Sequence, residues 1–241
     1  MTASELLELM RRRQSSRVSF DPYRPIGPND LARLIEAARW APTAHNMQNF
    51  ELMVIDDRPL LEALSDLETG GVDETFVREN YAQLSFSEDE LKRKKVGILA
   101  ANFPPSWLKP DFKADPKEVR AHSFLGDPVR MSGALLLVLY DPKRRAPASE
   151  GDFLGIISLG CVMENLWLMA SSLGIACQIQ SALAAAPVEA GLKRVLGVPE
   201  HLRIAYAVRL GYPLEPADPL RVRRDPKDFV HHNRFGHRFA R

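Results

Sequence analysis

The stretch Ala134-Leu135-Leu136-Leu137-Val138-Leu139-Tyr140 is apolar without a break. A strand with one wet face alternates apolar and polar side chains. An unbroken run therefore belongs to a strand covered on both faces, in the middle of a sheet. Downstream, Gly151 to Leu173 reads as the longest helix. Ile156, Leu159, Met163, Leu166, Trp167, Ala170 and Leu173 form its apolar stripe, and Gly174 ends it. Ile175 to Gln180 reads as a short strand, Pro187 to Leu196 as a helix closed by Gly197, and Leu202 to Leu210 as a strand ending at Gly211-Tyr212-Pro213. Upstream, Ser4 to Arg13 is a helix with Ser4 as its N-cap. A second helix starts at Gly27-Pro28-Asn29-Asp30, with Pro28 in its first turn, and Pro42 stops it. Phe50 to Ile55 reads as a buried strand and Pro59 to Leu67 as a short helix. Four strands with helices between them give an α+β class, a three-layer α/β arrangement. No strand runs into G-x-G-x-x-G, which argues against a Rossmann fold.

Residues 70 to 124 are of another kind. They hold Gly70-Gly71, basic residues over Lys92 to Lys95, four prolines, and the scattered aromatics Phe76, Tyr81, Phe86, Phe103, Trp107 and Phe112. Helices are expected at 73–84 and 88–101, and no strand. With no linker or repeat in the chain, the expectation is one domain over residues 1–241 carrying a helical cover or lid at about 70–124.

Among 241 residues, 32 Lys and Arg stand against 31 Asp and Glu, a net charge of +1; 45% are apolar and 26% charged. This is globular composition and excludes a disordered chain or a strongly basic nucleic-acid binder. The longest aliphatic run is far below the ~20 residues of a membrane helix, so no membrane role is expected. Cys161 and Cys177 both lie in apolar sequence, which fits a reducing compartment. The N-terminus lacks the order of a signal peptide, and a cytoplasmic protein is the expectation.

Near-neutrality conceals two cationic nodes. Arg11, Arg12, Arg13 and Arg17 crowd one end; Arg221, Arg223 and Arg224, then Arg234, Arg238 and Arg241, crowd the other. Such nodes suit a compact anion such as a phosphate, although composition alone favours a pair of solvated termini. No metal site is expected, because the cysteines are 16 residues apart and His231-His232 are adjacent. G-x-S-x-G and the P-loop are absent. What remains is a set of polar clusters able to hold a cofactor that carries the chemistry itself. Arg13-Gln14-Ser15-Ser16-Arg17 offers guanidinium forks and hydroxyls for phosphate. Ala41-Pro42-Thr43-Ala44-His45-Asn46-Met47-Gln48-Asn49-Phe50 places a hydroxyl and side-chain amides, which both donate and accept, between a helix and a strand. Arg221-Val222-Arg223-Arg224 is the third cluster. Each alone is equally a surface loop.

In their order and spacing these clusters resemble the FMN-dependent nitroreductase family. Its R-[RHQ]-S-x-[RK] segment is matched by Arg13 to Arg17, and its A-P-[ST]-x-x-N-x-Q-P-W loop by Ala41 to Phe50. Its basic segment before a His-Asn-Arg stretch is matched by Arg223-Arg224 with His231-His232-Asn233-Arg234. The helix with Asn165, followed by Leu173-Gly174-Ile175, looks like the family's central helix and its exit. The likeness covers the chain except about 70–124. It implies a mostly antiparallel central sheet flanked by helices, in an intertwined homodimer with FMN at the subunit interface. Carried over by motif, Arg13, Gln14, Ser15, Arg223 and Arg224 fall at the FMN phosphate. Arg17 falls beside N1/O2 of the isoalloxazine, where a cation stabilises the reduced anionic flavin. Pro42, Thr43, Ala44 and Asn46 reach the cofactor from the other subunit, and Gln48 is either a contact or a loop brace. Gln178, Ile179, Gln180 and Ser181 form the strand end beside N5, chiefly through their backbone.

Three departures from the pattern stand out: Asn49-Phe50 for Pro-Trp, Gln14 for the commoner Arg or His, and Gln180-Ser181 for an acidic-Gly or Gly-Gly pair. The implied reaction is ping-pong. Hydride passes from NAD(P)H to FMN and then to a nitroaromatic, quinone or other electron-poor small aromatic, with no side chain as catalytic acid, base or nucleophile. Alternatives on the same fold are a reductive dehalogenase, a flavin-modifying enzyme or a non-catalytic flavin-binding module. The lid spacing of the iodotyrosine dehalogenases is not matched by Glu79 and Tyr81, and the motifs of flavin destruction are not recognisable. Tyr81, Phe86, Trp107 and Phe112 are either acceptor-side lining or simple core.

Overall fold

The computed structural model describes residues 2–67, 84–102, 126–147, 149, 151–181, 186–216 and 220–238. In chain order the helices are α1 (Ala3–Arg12), α2 (Pro28–Arg39), α3 (Arg58–Ser65), α4 (Glu88–Lys94), α5 (Gly126–Arg130), α6 (Phe153–Ser172) and α7 (Ala186–Leu196). The strands are β1 (Glu51–Ile55), β2 (Ser85–Phe86), β3 (Ile98–Leu99), β4 (Ala134–Tyr140), β5 (Ala176–Gln180) and β6 (Arg203–Gly211). The chain forms two compact units, residues 1–70 with 120–217 and residues 71–119 with 218–241.

The first unit is built on a four-stranded sheet of order β1-β4-β6-β5, antiparallel throughout. The apolar run of β4 feeds two cores by simple alternation. Ala134, Leu136 and Val138 join Leu34 and Ala38 of α2 and Leu159, Val162, Leu166 and Ala170 of α6 on one face. Leu135, Leu137 and Leu139 join Leu61 and Leu64 of α3 and Val188 and Leu192 of α7 on the other. The layers are therefore helix, sheet, helix, as expected. A register shift between Val138 and Leu139 leaves Ala205 of β6 unopposed and exchanges the two faces of that strand.

Several expectations need correction. The N-cap of α1 is Thr2, not Ser4. Its hydroxyl accepts from Glu5 N–H and Glu5 returns a bond to Thr2 N–H, a capping box legible in Thr2-x-x-Glu5. β1 is an edge strand with exposed Glu51 and a half-buried middle, because among the described residues it pairs with β4 alone. In α6 the buried face is Gly155, Ser158, Leu159, Val162, Leu166 and Ala170, while Ile156 is 60% exposed. The helix is apolar on nearly all sides, so its sequence does not single out a face. By length and composition α6 also could cross a membrane, a property that counting uninterrupted runs overlooked. Here its buried stripe packs on the sheet.

Residues 18 to 21 run beside the end of β6. Phe20 bridges Pro213, Asp21 N–H donates to Tyr212 O at 2.8 Å, and Leu214 N–H donates to Ser19 O at 3.0 Å. Phe20 is fully buried, and a Cβ at Gly211 would lie 2.7 Å from its Cβ. Gly211→Ala is accordingly expected to cost about 1–3 kcal/mol, the usual range for overpacking. Urea unfolding measures this, and an unchanged midpoint would contradict the packing.

In the second unit β2 and β3 pair in parallel around α4, which Ser87 and Glu90 cap reciprocally. The expectation of no strand within 70–124 is thus corrected. At the left-handed Gly97 (φ 102°) an added Cβ would lie 2.5 Å from the Phe86 ring and 2.6 Å from Leu84 O, so only glycine fits. The helix expected at 73–84 lies outside the described residues but for Leu84, as do Phe76, Glu79, Tyr81, Phe103, Trp107 and Phe112. Phe86 is described, half-buried under the Lys94 ammonium.

Candidate functional site

The segment after α1 is fixed from three directions. Arg13 lays its guanidinium 4.2 Å from the Trp167 ring centroid, with its Nε 3.7 Å from Glu164, both on α6. Trp167 Nε1–H donates to Gln14 O at 2.9 Å. Ser16 is buried, and its N–H donates to Cys177 O of β5 at 2.9 Å. Two clusters far apart in the sequence, Arg13–Arg17 and Gln178–Ser181, are thereby brought together. Ser15 is half-buried and Arg17 is exposed.

The bond to Cys177 fixes which way β5 faces. Among the described residues β5 pairs with β6 on one side only. Because the Cys177 carbonyl points to Ser16, its backbone groups lie on the outer edge. Alternation then turns the backbone N–H and C=O of Ile179 outward as well, and those of Gln178 and Gln180 toward β6. Among the expected contacts, the outward backbone is thus that of Ile179; Ser181, one residue past the strand, is exposed. The Gln180 side chain is 1% exposed, and neither its Oε1 nor its Nε2 finds a partner among the described residues; the same is true of Ser16 Oγ and Gln178 Oε1.

The second cluster forms a tight loop over residues 42–50. Pro42 is exposed at its entrance. His45, Asn46 and Gln48 all take positive φ (50°, 52° and 46°), a conformation that costs most residues free energy and that gathers at functional loops. Ala44 N–H donates to Ser158 Oγ on α6 at 2.9 Å. Thr43 closes the loop from within, accepting from Asn46 N–H at its carbonyl and from Gln48 N–H at its hydroxyl, both at 3.0 Å. Gln48 Nε2 donates to Asn46 Oδ1 at 3.2 Å, so Gln48 braces the loop. Asn49 is 3% exposed and its amide finds no partner among the described residues. Ser158 and Glu164 are six residues apart, so the loop and the arginine segment dock on one helix about 9 Å apart along its axis.

Arg223 and Arg224 belong to the second unit. Arg224 Nη2–H donates to Asp228 O at 2.8 Å, and Arg223 Nη1–H to Val222 O at 2.7 Å. Both are exposed. Lys95 and Asp225 pair in the same unit, and this contact holds the Asp225 carboxyl below its usual range.

Cys177 offers no thiolate, since burial pushes its pKa up to about 12. The residues missed by sequence reading are those that hold the named ones. They are Ser16, Ser158, Glu164, Trp167 and, most clearly, Arg209. Arg209 is 2% exposed in the middle of the apolar strand β6, and a lone cation in Ala205-Tyr206-Ala207-Val208-Arg209-Leu210 was a readable signal.

The arrangement brings together a cationic turn, a strand edge with the outward backbone of Ile179, and a tight amide loop. Comparison with known proteins gives it context. The model of the Nitroreductase family matches residues 10–212. No curated protein matches the sequence significantly. Among solved structures, a Bacteroides fragilis nitroreductase with bound FMN is 23% identical with a TM-score of 0.59, over 95% of this chain and 99% of that one. An FMN-dependent nitroreductase from Clostridium difficile is 14% identical with a TM-score of 0.59, over 95% and 99%. A Clostridium acetobutylicum protein provisionally assigned as an NADH oxidase is 15% identical with a TM-score of 0.59, over 94% and 99%. These likenesses are of fold.

Proposed function

Since the chain belongs to the Nitroreductase family, we propose that it is an FMN-dependent oxidoreductase that takes hydride from NAD(P)H and reduces a quinone, nitroaromatic or similar electron-poor acceptor. The observation that carries this reading is the bond from Ser16 N–H to Cys177 O, which sets the Arg13–Arg17 segment on the open edge of β5. The donor set fits the cofactor. Guanidinium and hydroxyl groups suit a phosphate, an outward backbone N–H suits a ring nitrogen, and the buried Ser16 Oγ and Gln180 amide have bonding capacity to spare. FMN held by these residues would supply the two-electron hydride chemistry of a ping-pong reaction, which no side chain of the chain provides.

The chain's own residues bind and orient. Arg13, Gln14 and Ser15 take the phosphate. Arg17 places a cation by the pyrimidine edge, and Ile179 offers its outward backbone N–H. Pro42, Thr43, Ala44, Asn46 and Gln48 form the tight amide loop, presented to the cofactor of a second copy. An exposed apolar strip on α6, made by Phe153, Ile156 and Ile157, favours such a homodimer. Residues 1–241 act as one functional domain in the cytoplasm. The test is steady-state oxidation of NADH and NADPH by FMN-loaded protein with a soluble quinone or a nitroaromatic. Turnover dependent on the acceptor is expected; none with either nucleotide would overturn the enzymatic reading and leave a flavin-binding module.

A further inference from the structure

Arg209 has a role that the family motifs do not give it. On β6 it is the cross-strand partner of Gln178 on β5. Cys177 and Ile179 face the α2–α6 core, so Gln178 and Gln180 point to the opposite face of the sheet, as Arg209 does beside Val208 and Leu210. Its guanidinium donates from Nη2 to Val18 O at 2.5 Å and lies 3.9 Å from the Phe20 ring centroid, while Nε finds no partner. Among the described residues no carboxylate pairs with it.

A buried cation without a counter-ion costs several kcal/mol even after relaxation, and a hydrophobic residue of the same length would pack there more cheaply. Burial brings its pKa down to about 10, which leaves it charged at neutral pH. The bond to Val18 O places this charge directly behind the residue that follows Arg17. It also completes a clamp on the segment: Ser16 N–H on Cys177 O, Arg209 on Val18 O, and Asp21 N–H on Tyr212 O.

We propose that Arg209 is a positioning residue for the flavin site, which holds the Arg13–Val18 segment by the Val18 carbonyl and adds a second, buried positive charge that favours the reduced flavin. The inference rests on the FMN reading above. A charge in low dielectric acts over a longer distance than one in water, so it stabilises an anionic ring without touching it.

The experiment compares wild type, R209M and R209K as full-length proteins loaded with FMN. Melting curves, the dissociation constant of oxidised FMN and the two-electron midpoint potential of the bound flavin are measured. R209M is expected to fold with an unreduced melting temperature and to bind oxidised FMN a few-fold more weakly. It should lose about tenfold more affinity for reduced than for oxidised flavin, a fall of about 30 mV. R209K keeps the charge and loses the fork, so its potential should stay at the wild-type value. A wild-type potential in FMN-loaded R209M would overturn the proposal while leaving the FMN reading intact. Wild-type protein that takes up no FMN would overturn that reading instead, and this inference with it. Should R209M not fold, R209Q takes its place, since it also removes the charge, and the same fall in potential is expected.

Discussion

Leu136→Ala is expected to destabilise the protein by about 2–5 kcal/mol, the range for a leucine truncated in a core that cannot collapse. Leu136 is fully buried on β4, between Val54 of β1 and Val208 of β6. Its side chain supports the face that α2 and α6 cover. For a chain of this size that loss lowers the melting temperature by roughly 4–20 °C. The effect should reach the site, because α6 carries Ser158, which holds the amide loop, and Glu164 and Trp167, which hold Arg13. Thermal unfolding with and without added FMN checks both parts. A melting temperature within a degree of wild type would contradict the two-sided burial of β4.

Arg13→Ala should weaken FMN binding about 10–100-fold, since a charged hydrogen bond contributes about 1.5–3 kcal/mol and each 1.4 kcal/mol is a factor of ten. The guanidinium rests on Trp167 beside Glu164, a contact that orients it and competes for its charge. Glu164→Gln removes the competitor and keeps the shape, so FMN affinity should hold or rise in that variant. Arg33→Ala, on an exposed guanidinium paired with Asp30 on α2, should change nothing. Fluorescence titration of FMN reads all three. Equal affinity in Arg13→Ala and wild type would remove Arg13 from the phosphate site.

How much of this could be read from the sequence depended on how local the cause was. The β4 run disclosed a strand buried on both faces because period-two alternation is written into it residue by residue. The helix stops at Gly174 and Gly197 were legible because both take φ near +70°, which glycine adopts without strain. The buried face of α6 was not legible, since the helix is apolar on nearly every side and only the sheet chooses among them. β2 and β3 escaped notice because two residues are too few to show a period. At the site, the motif residues were visible and their supports were not. Trp167, Ser158 and Cys177 act on residues more than a hundred positions away, and no local pattern announces such contacts. Two of the three departures, Asn49 and Gln180, turn out to be buried amides with bonding capacity to spare, which makes them informative substitutions.

The claim on which the rest depends is that this chain holds FMN as a working redox cofactor. It is tested by the absorbance spectrum of the full-length protein, loaded with FMN, freed of excess and titrated anaerobically with NADH and then NADPH. The account predicts flavin bands at one FMN per chain, bleached by at least one nucleotide and restored by a quinone. Protein that emerges colourless, or whose flavin neither nucleotide bleaches, would contradict it.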